Sequence, residues 1–157
     1  MSPTPFQALA QVPNACQALP DVVTGGQPTE AQLEAFRAAG GEVVLDVRDP
    51  SEPRPLDEAA TARRLGLEYV VVPVTAATLS DETLDRVRAA LRSARGRRLF
   101  FHCRSGARVG AGLIPYLILD EGMDEGDAID LAVRVGLNSP ELLSWAVEYA
   151  RRKRNRP

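Results

Sequence analysis

Apolar residues recur along this chain with two different spacings, and the alternation between them predicts a layered α/β fold. Short runs rich in valine and leucine indicate buried strands, which we expect at 42–47, 67–74 and 99–102. Apolar positions three and four residues apart indicate helices, which we expect at 29–40, 56–65, 80–95, 108–120, 124–136 and from 139 onward. Successive strand and helix units predict a three-layer domain, with a mainly parallel sheet of about four strands flanked by helices.

One segment combines a buried strand, a tight loop and a helix start around a cysteine. Residues 100–112 read Phe-Phe-His-Cys-Arg-Ser-Gly-Ala-Arg-Val-Gly-Ala-Gly. Backbone N–H groups of a loop at a helix N-terminus converge on one point, where the helix dipole adds about half a positive charge. A thiol there ionises easily, so Cys103 is our candidate nucleophile. The alternative is a small buried apolar residue, but Gly106 permits a tight turn and Arg104 and Arg108 supply two cations.

Two kinds of cysteine chemistry fit such a loop. In phosphoryl transfer the thiolate attacks phosphorus, the loop amides and an arginine hold the phosphate oxygens, and an acid protonates the leaving oxygen before water releases phosphate. In sulfur transfer the thiolate accepts a sulfane sulfur, and an acceptor thiol removes it from the persulfide. Neither chemistry needs a cofactor, and we predict none. We also predict no metal site, because His102 is the only histidine and no cysteine and histidine cluster has zinc spacing.

Composition and charge limit the partners. The 157 residues suffice for one domain with a substantial core, and the net charge of -2 gives no general footprint for nucleic acid. Only the end of the chain is basic, which is typical of a helix C-terminus whose cations complement the dipole. No apolar stretch approaches the length of a membrane span. We expect neither nucleic acid nor a membrane as partner, but a phosphorylated or sulfane-sulfur small molecule, or a phosphoprotein.

The first twenty residues carry no charge and contain prolines at 3, 5, 13 and 20. We therefore predict a loosely structured N-terminal extension at 1–20, a single domain at 21–150 and a basic C-terminal tail at 151–157. The start lacks the basic residues and the unbroken apolar run of a secretion signal, which predicts a cytoplasmic protein. An exported precursor whose signal had been trimmed would show the same start. Two cysteines are too few for a disulfide framework, and Cys16 is interpreted as a bystander.

The loop itself resembles two enzyme families. His102-Cys103-x-x-Gly106 resembles the start of the protein tyrosine and dual-specificity phosphatase signature, which places an arginine six residues after the cysteine. Here that position is Val109, and the arginine comes one residue earlier, at Arg108. The run 103–108, Cys-Arg-Ser-Gly-Ala-Arg, resembles instead the loop of single-domain rhodaneses. The helices that follow favour the phosphatase fold, because a rhodanese returns to the sheet with a further strand.

A closer resemblance covers most of residues 22–140. It rests on Thr24-Gly25-Gly26-Gln27-Pro28, on Asp46-Val47-Arg48, on Glu52-Pro53-Arg54 with Asp57-Glu58, and on His102 to Gly110. In these motifs the chain is similar to the bacterial phosphatase-like group called β-lactamase hydrolase-like or DUF442, whose members are described as phosphatases and as sulfurtransferases. The resemblance implies a domain like that of the dual-specificity phosphatases, and it leaves the reaction open.

The resemblance also implies roles for the loop residues. Cys103 matches the nucleophile, Arg108 the arginine that holds the anion, and His102 the histidine that orients the loop and favours the thiolate. The rest of the anion-binding loop consists of Arg104, Ser105, Gly106, Ala107 and Val109. Ser105 either donates to the thiolate or simply suits the turn. Val109 follows this arginine, at the position where phosphatases commonly have a serine or threonine whose hydroxyl helps the thiolate leave. Valine has no hydroxyl and cannot do so.

The general acid has no clear candidate. Phosphatases of this type supply an aspartate from the loop after the preceding strand, but the matching stretch at 73–79 contains no acid. Asp81 is the first acid available, although its place beside a helix cap also suits the helix dipole. Asp57 and Glu58 are alternatives, or simply a solvated helix start. Without a positioned acid, rates for poor leaving groups fall by about 10²–10⁴, which favours aryl phosphates or sulfur transfer.

Three functional hypotheses follow. The leading one is metal-independent hydrolysis of phosphate monoesters through a phosphocysteine at Cys103. The first alternative is a sulfurtransferase that carries sulfur as a Cys103 persulfide. The second is a non-catalytic module that binds a phosphorylated or sulfur-bearing ligand.

Overall fold

The computed structural model describes residues 2–155, which form five strands, seven α-helices and one 3-10 turn at Ala76–Thr78. The strands are β1 (Cys16–Leu19), β2 (Val22–Gly25), β3 (Val43–Asp46), β4 (Glu68–Val71) and β5 (Leu99–His102). The helices are α1 (Pro5–Leu9), α2 (Glu30–Ala38), α3 (Glu58–Leu65), α4 (Asp81–Ser93), α5 (Ala107–Leu119), α6 (Glu125–Val135) and α7 (Pro140–Arg154).

The strands form one sheet in the order β1-β2-β5-β3-β4. Strand β1 is antiparallel to β2, and the other pairs are parallel, which confirms the predicted α/β class with a mainly parallel sheet. In the centre, His102 of β5 lies opposite Gly25 on one side and Asp46 on the other. Because parallel strands end at the same edge, the residues after β2, β3 and β5 meet around Cys103.

Helices cover both faces of the sheet, as the apolar runs predict. Val44 and Phe100 pack on one face with Leu33 and Phe36 of α2, on the side of α1, α2 and α3. The alternate strand positions, such as Leu45 and Phe101, pack on the other face with α4 to α7. Successive strand residues point to opposite faces, so a strand between two helical layers is apolar throughout.

The N-terminal strands were not predicted, and the expectation of a loose extension at 1–20 was wrong. The sheet has five strands rather than about four, because β1 and β2 are four-residue segments whose pattern is interrupted by prolines and glycines. Helix α1 carries a capping box at Thr4. Leu9 and Val12 are buried against the sheet, so this N-terminal segment contributes to the core.

The predicted boundary at residue 150 lies inside a helix. Helix α7 continues to Arg154, and its last turn contacts other helices through Arg151 with Glu125 at 2.8 Å and Arg152 with Asp81 at 2.6 Å. Positions 156 and 157 of the predicted tail lie outside the described residues. Within residues 2–155, no helix is both long enough and apolar enough to cross a bilayer.

Candidate active site

Cys103 lies at the carboxyl end of the central strand, directly before helix α5. Its side chain is 1% exposed, and its Sγ accepts a hydrogen bond from the backbone N–H of Gly106 at 3.0 Å. Gly106 precedes the helix with a φ of +106°, and a β-carbon there would lie 2.5 Å from the carbonyl oxygen of Val135, so only glycine fits. No side chain among the described residues caps α5. The sulfur therefore lies at a helix N-terminus whose N–H groups can meet an anion.

Two segments from the other end of the chain hold the loop from outside. The backbone N–H of Gln27 donates to the carbonyl of Arg104 at 3.0 Å, and the Asn14 amide donates to the carbonyl of Ser105 at 2.5 Å. Gly26 permits this approach, because a β-carbon there would lie 2.3 Å from the Arg104 oxygen. The side chains of Arg104 and Ser105 face solvent. The loop is thus fixed through its carbonyl groups.

Arg108 lies in the first turn of α5 and is held by a carboxylate from a distant loop. Its two terminal nitrogens donate to the two oxygens of Glu52 at 2.8 and 3.0 Å, and Nη1 also donates to the carbonyl of Val74 at 3.2 Å. The hydrogen bonds to Glu52 raise the pKa of Arg108 although burial opposes this, and the negative charge of a Cys103 thiolate raises it further. The shortened loop therefore still brings Arg108 beside Cys103.

Glu52 was not predicted as a site residue. Besides Arg108, it accepts hydrogen bonds from Nε of Arg48 at 3.0 Å and from the backbone N–H of Asp49 at 2.7 Å. The bond from Arg108 and these further donors lower its pKa to about 2, against the effect of burial. Glu52 is thus ionised at neutral pH and cannot act as a proton donor there. The motif Glu52-Pro53-Arg54, part of the family resemblance, was the sequence signal for it.

His102 connects the loop to a buried carboxylate. Its Nε2 donates to Glu58 at 2.5 Å and its Nδ1 faces the carbonyl oxygen of Cys103 at 3.1 Å. Each ring nitrogen therefore has an oxygen partner, and together these two contacts fix the orientation of the imidazole. Glu58 also accepts from Gln27 at 2.8 Å and from Arg54 at 3.1 Å. Burial raises the pKa of Glu58, but the hydrogen bonds from His102 and Gln27 outweigh it and the pKa lies below its usual value.

The same buried cluster has the composition of a metal site but already contains a cation. Ligand atoms of Asp46, Glu58 and His102 lie within 4.8 Å of one another. The guanidinium of Arg54 bonds both carboxylates, and the hydroxyl of Tyr69 donates to Asp46 at 2.6 Å. Burial and the bond to Asp46 raise the pKa of Tyr69. Because Arg54 already bonds both carboxylates, these residues are suited to orient His102 without a bound ion.

The structure does not bring the three predicted acids to the sulfur. Asp81 stands in the first turn of α4, where it pairs with Arg152 on the surface. Asp57 caps α3 and accepts from the N–H of Ala60 at 3.1 Å. Glu58 is buried behind His102. Among the described hydrogen bonds, none joins these carboxylates to Cys103; each has another partner, and a role as general acid stays a prediction for all three. Sequence distance alone could not show which partners they have.

The two remaining loop positions are structural in this arrangement. Ala107 is the first residue of α5, and Val109 is fully buried in the core between the sheet and the helices. Val109 therefore occupies a packing position, and the phosphatase hydroxyl expected there has no counterpart at this place in the helix.

Comparisons with known proteins agree with this geometry. Residues 44–112 match the family model of the β-lactamase hydrolase-like protein, phosphatase-like domain. The β-lactamase hydrolase-like protein of Xylella fastidiosa is 31% identical over 129 residues, which are 80% of this chain and 30% of that protein. The chain thus spans less than a third of the length of this curated relative. The resemblance noted from the sequence motifs is confirmed.

Solved structures extend the likeness to almost the whole chain. A DUF442 protein from Shewanella putrefaciens CN-32 has a TM-score of 0.79 at 21% identity, covering 94% of this chain and 97% of that one. TpbA of P. aeruginosa, solved in complex with phosphotyrosine, has a TM-score of 0.67 at 18% identity and covers 88% and 83%. At such identities the likeness shows the fold alone, and that fold is the predicted one of the cysteine-dependent phosphatases.

Proposed function

We propose that this protein is a cysteine-dependent phosphatase that hydrolyses phosphate monoesters through a phosphocysteine at Cys103. The Cys103 thiolate attacks phosphorus and displaces the ester oxygen, which leaves as the alcohol or phenol, while Arg108 and the N–H groups at the start of α5 hold the non-bridging oxygens. Water then attacks phosphorus in the phosphocysteine, which breaks the sulfur–phosphorus bond, releases inorganic phosphate and restores the thiolate. His102, positioned by Glu58, favours the thiolate from behind the loop.

One observation carries the proposal. The sulfur of Cys103 accepts the N–H of Gly106 at 3.0 Å at the start of α5, while Glu52 holds Arg108 beside it. A nucleophile, converging amides and a charged fork for oxygen atoms are the components that acyl and phosphoryl transfer need. These groups lie at the carboxyl edge of a parallel sheet, which is where proteins of such folds bind their ligands.

The substrates we propose are phosphate monoesters with good leaving groups. The three carboxylates predicted as general acids are engaged elsewhere, and Glu52 is ionised by its pKa of about 2. Aryl phosphates need least help from an acid because their leaving oxygen is already stabilised. TpbA, which shares the fold, was solved with phosphotyrosine. A phosphorylated tyrosine, free or in a protein, is therefore the substrate class to test first.

Sulfur transfer is the second candidate, and one observation favours it. The arginine stands five residues after the cysteine, at Arg108, which leaves a loop one residue shorter than the phosphatase signature. A shorter loop encloses a smaller anion, such as the terminal sulfur of a persulfide. In this reaction Cys103 takes the sulfane sulfur of a donor and an acceptor thiol removes it.

One set of assays separates these functions. The wild-type protein, Cys103→Ser and the control Cys16→Ser are compared for hydrolysis of p-nitrophenyl phosphate and for transfer of sulfur from thiosulfate to cyanide. We expect phosphate release by the wild type and the control and none by Cys103→Ser. Phosphate release that survives Cys103→Ser would refute the phosphocysteine. Sulfur transfer alone, with the mass of one sulfur added at Cys103, would establish the second candidate.

The absence of both activities would leave the third hypothesis, a non-catalytic module, to be tested. If inorganic phosphate still protects Cys103 from alkylation by iodoacetamide, the protein is a non-catalytic anion-binding module. Protection is measured as the ratio of alkylation rates with and without phosphate. The control Cys16→Ser removes the second thiol, so the measured rate belongs to Cys103 alone.

A further inference from the structure

A cleft opens directly beside Arg108, between the connection after β4 and the start of α7. It is lined by apolar side chains on both sides, namely Val74, Ala76, Leu79 and Leu142, together with Thr75, Ser139, Glu141 and Arg108. The carbonyl of Val74, which receives Nη1 of Arg108, belongs to this wall. The cleft and the anion site at Cys103 therefore share Arg108 as a common wall.

The polar groups in the cleft differ in what they can offer a ligand. Thr75 uses its hydroxyl oxygen to accept the N–H of Ala77 at 3.2 Å, and Ser139 accepts the N–H of Leu142 at 3.2 Å. The charge of Arg108 is balanced by Glu52. Glu141 thus contributes the unbalanced charge among the residues that line the cleft.

Glu141 lies in the first turn of α7, and its side chain is exposed. The basic residues of this helix stand in its last turn, where Arg151, Arg152 and Lys153 pair with acids of α6 and α4. Within residues 2–155 the carboxylate of Glu141 is not part of a described ion pair. A negative charge at a helix N-terminus is favourable, and Glu141 lines the cleft that a ligand would enter.

We infer that this cleft is the subsite for the leaving group of the substrate, and that Glu141 selects leaving groups that carry a positive charge. The inference rests on the proposed function and specifies its substrate class. In an in-line displacement the leaving group lies opposite the attacking sulfur, away from the buried loop, and the open cleft beside Arg108 is a place that can receive it. The substrate is then a phosphate monoester whose apolar body fits between Leu79 and Leu142 and bears a cationic substituent.

The expected size of the selection follows from the distance between charges. A substituent about 6 Å from Glu141, at the partly solvated mouth of a cleft, gains or loses about three- to tenfold in kcat/KM per unit charge. The preference should weaken as salt concentration rises, because exposed charges are screened beyond about 8–10 Å at physiological ionic strength.

The test uses three phenyl phosphates with para substituents that differ in charge: aminomethyl, hydroxymethyl and carboxymethyl. The proteins compared are the wild type, Glu141→Gln, Glu141→Lys and the control Glu148→Gln, an exposed acid further along α7. We expect the wild type and the control to prefer the aminomethyl over the carboxymethyl compound by about tenfold or more. Glu141→Gln should flatten the order and Glu141→Lys should reverse it.

Two results would overturn the inference. The first is an unchanged order of the three substrates in Glu141→Gln and Glu141→Lys. The second is an equal loss for all three in Glu141→Gln together with loss of the basic limb of the pH profile, which would make Glu141 a proton donor instead of a selector.

Failure of the proposed function is recognisable separately. If the wild type hydrolyses none of the compounds, their binding is measured by protection of Cys103 from alkylation. The three compounds are then ranked by how well they protect Cys103. A ranking that follows their charge and reverses in Glu141→Lys would support the cleft as a binding site while refuting hydrolysis. No protection by any compound would overturn both.

Discussion

Replacing Glu52 by glutamine tests whether the site depends on a carboxylate outside the loop. Glu52 accepts two hydrogen bonds from Arg108, one from Arg48 and one from a backbone N–H. Glutamine keeps the shape but loses the charge, and its amide group places donors against donors. Arg108 is then left without the bidentate partner that holds its guanidinium in place.

The magnitude follows from the kind of bond lost. Hydrogen bonds to charged groups contribute about 1.5–3 kcal/mol each, and the Glu52 and Arg108 side chains are 25% and 20% exposed, so water replaces part of this. We therefore expect a loss of about 2 kcal/mol in the free energy that orients Arg108. At 1.36 kcal/mol per factor of ten, this loss lowers kcat/KM about 30-fold. The affinity for inorganic phosphate should fall by a similar factor.

The assay measures kcat/KM with p-nitrophenyl phosphate, and phosphate protection of Cys103 from alkylation, at equal concentrations of folded protein. Urea denaturation gives the free energy of unfolding, so that lost stability is not mistaken for lost orientation. Glu34→Gln is the matched control, because its pair with Arg64 is about half exposed on both sides and such pairs contribute little. A Glu52→Gln protein with kcat/KM and phosphate affinity within twofold of the wild type would refute the reasoning.

Three further predictions concern the supports of the loop. The folded state lowers the pKa of Glu52 from 4.5 to about 2. The contribution of Glu52 to stability is therefore complete above about pH 4.5 and is lost as pH falls toward 2. Urea denaturation at a series of pH values should show that the free energy of unfolding of Glu52→Gln depends less on pH in this range than that of the wild type. Gly26→Ala places a β-carbon 2.3 Å from the Arg104 oxygen and should lower kcat/KM at least tenfold, or unfold the protein, since backbone must move. Glu58→Gln removes the buried partner of His102 and Arg54 and should lower the free energy of unfolding by about 3–5 kcal/mol, measured in urea.

Each of these has a result that contradicts it. Identical acid titrations for the wild type and Glu52→Gln would show that the ion pair is not what holds the pKa down. Full activity of Gly26→Ala would mean that the loop tolerates displacement at Arg104. A Glu58→Gln protein as stable as the wild type would mean that Arg54 and His102 do not depend on the carboxylate of Glu58.

Local features were predictable because their causes lie within a few residues. The helices predicted from positions 29, 80, 124 and 139 are capped at those residues, since each bond joins a side chain to an N–H two or three residues on. Strand β5 and the loop at Cys103 were likewise predictable from one apolar run and one glycine. Strands β1 and β2 were not, because prolines and glycines interrupt their pattern and their order depends on the strands beside them.

The candidate nucleophile was therefore predictable from the amino-acid order, since a strand, a glycine and a helix start suffice to place a thiol at converging amides. The side chains that hold the residues around it could be identified only in the folded structure. Glu52 stands 56 residues from Arg108, and Glu58 stands 44 residues from His102. Such pairs depend on which strands lie side by side, and strand order is decided by packing of the whole sheet rather than by any local pattern. The same packing paired Asp81 with Arg152 and placed Glu141 in one cleft with Arg108.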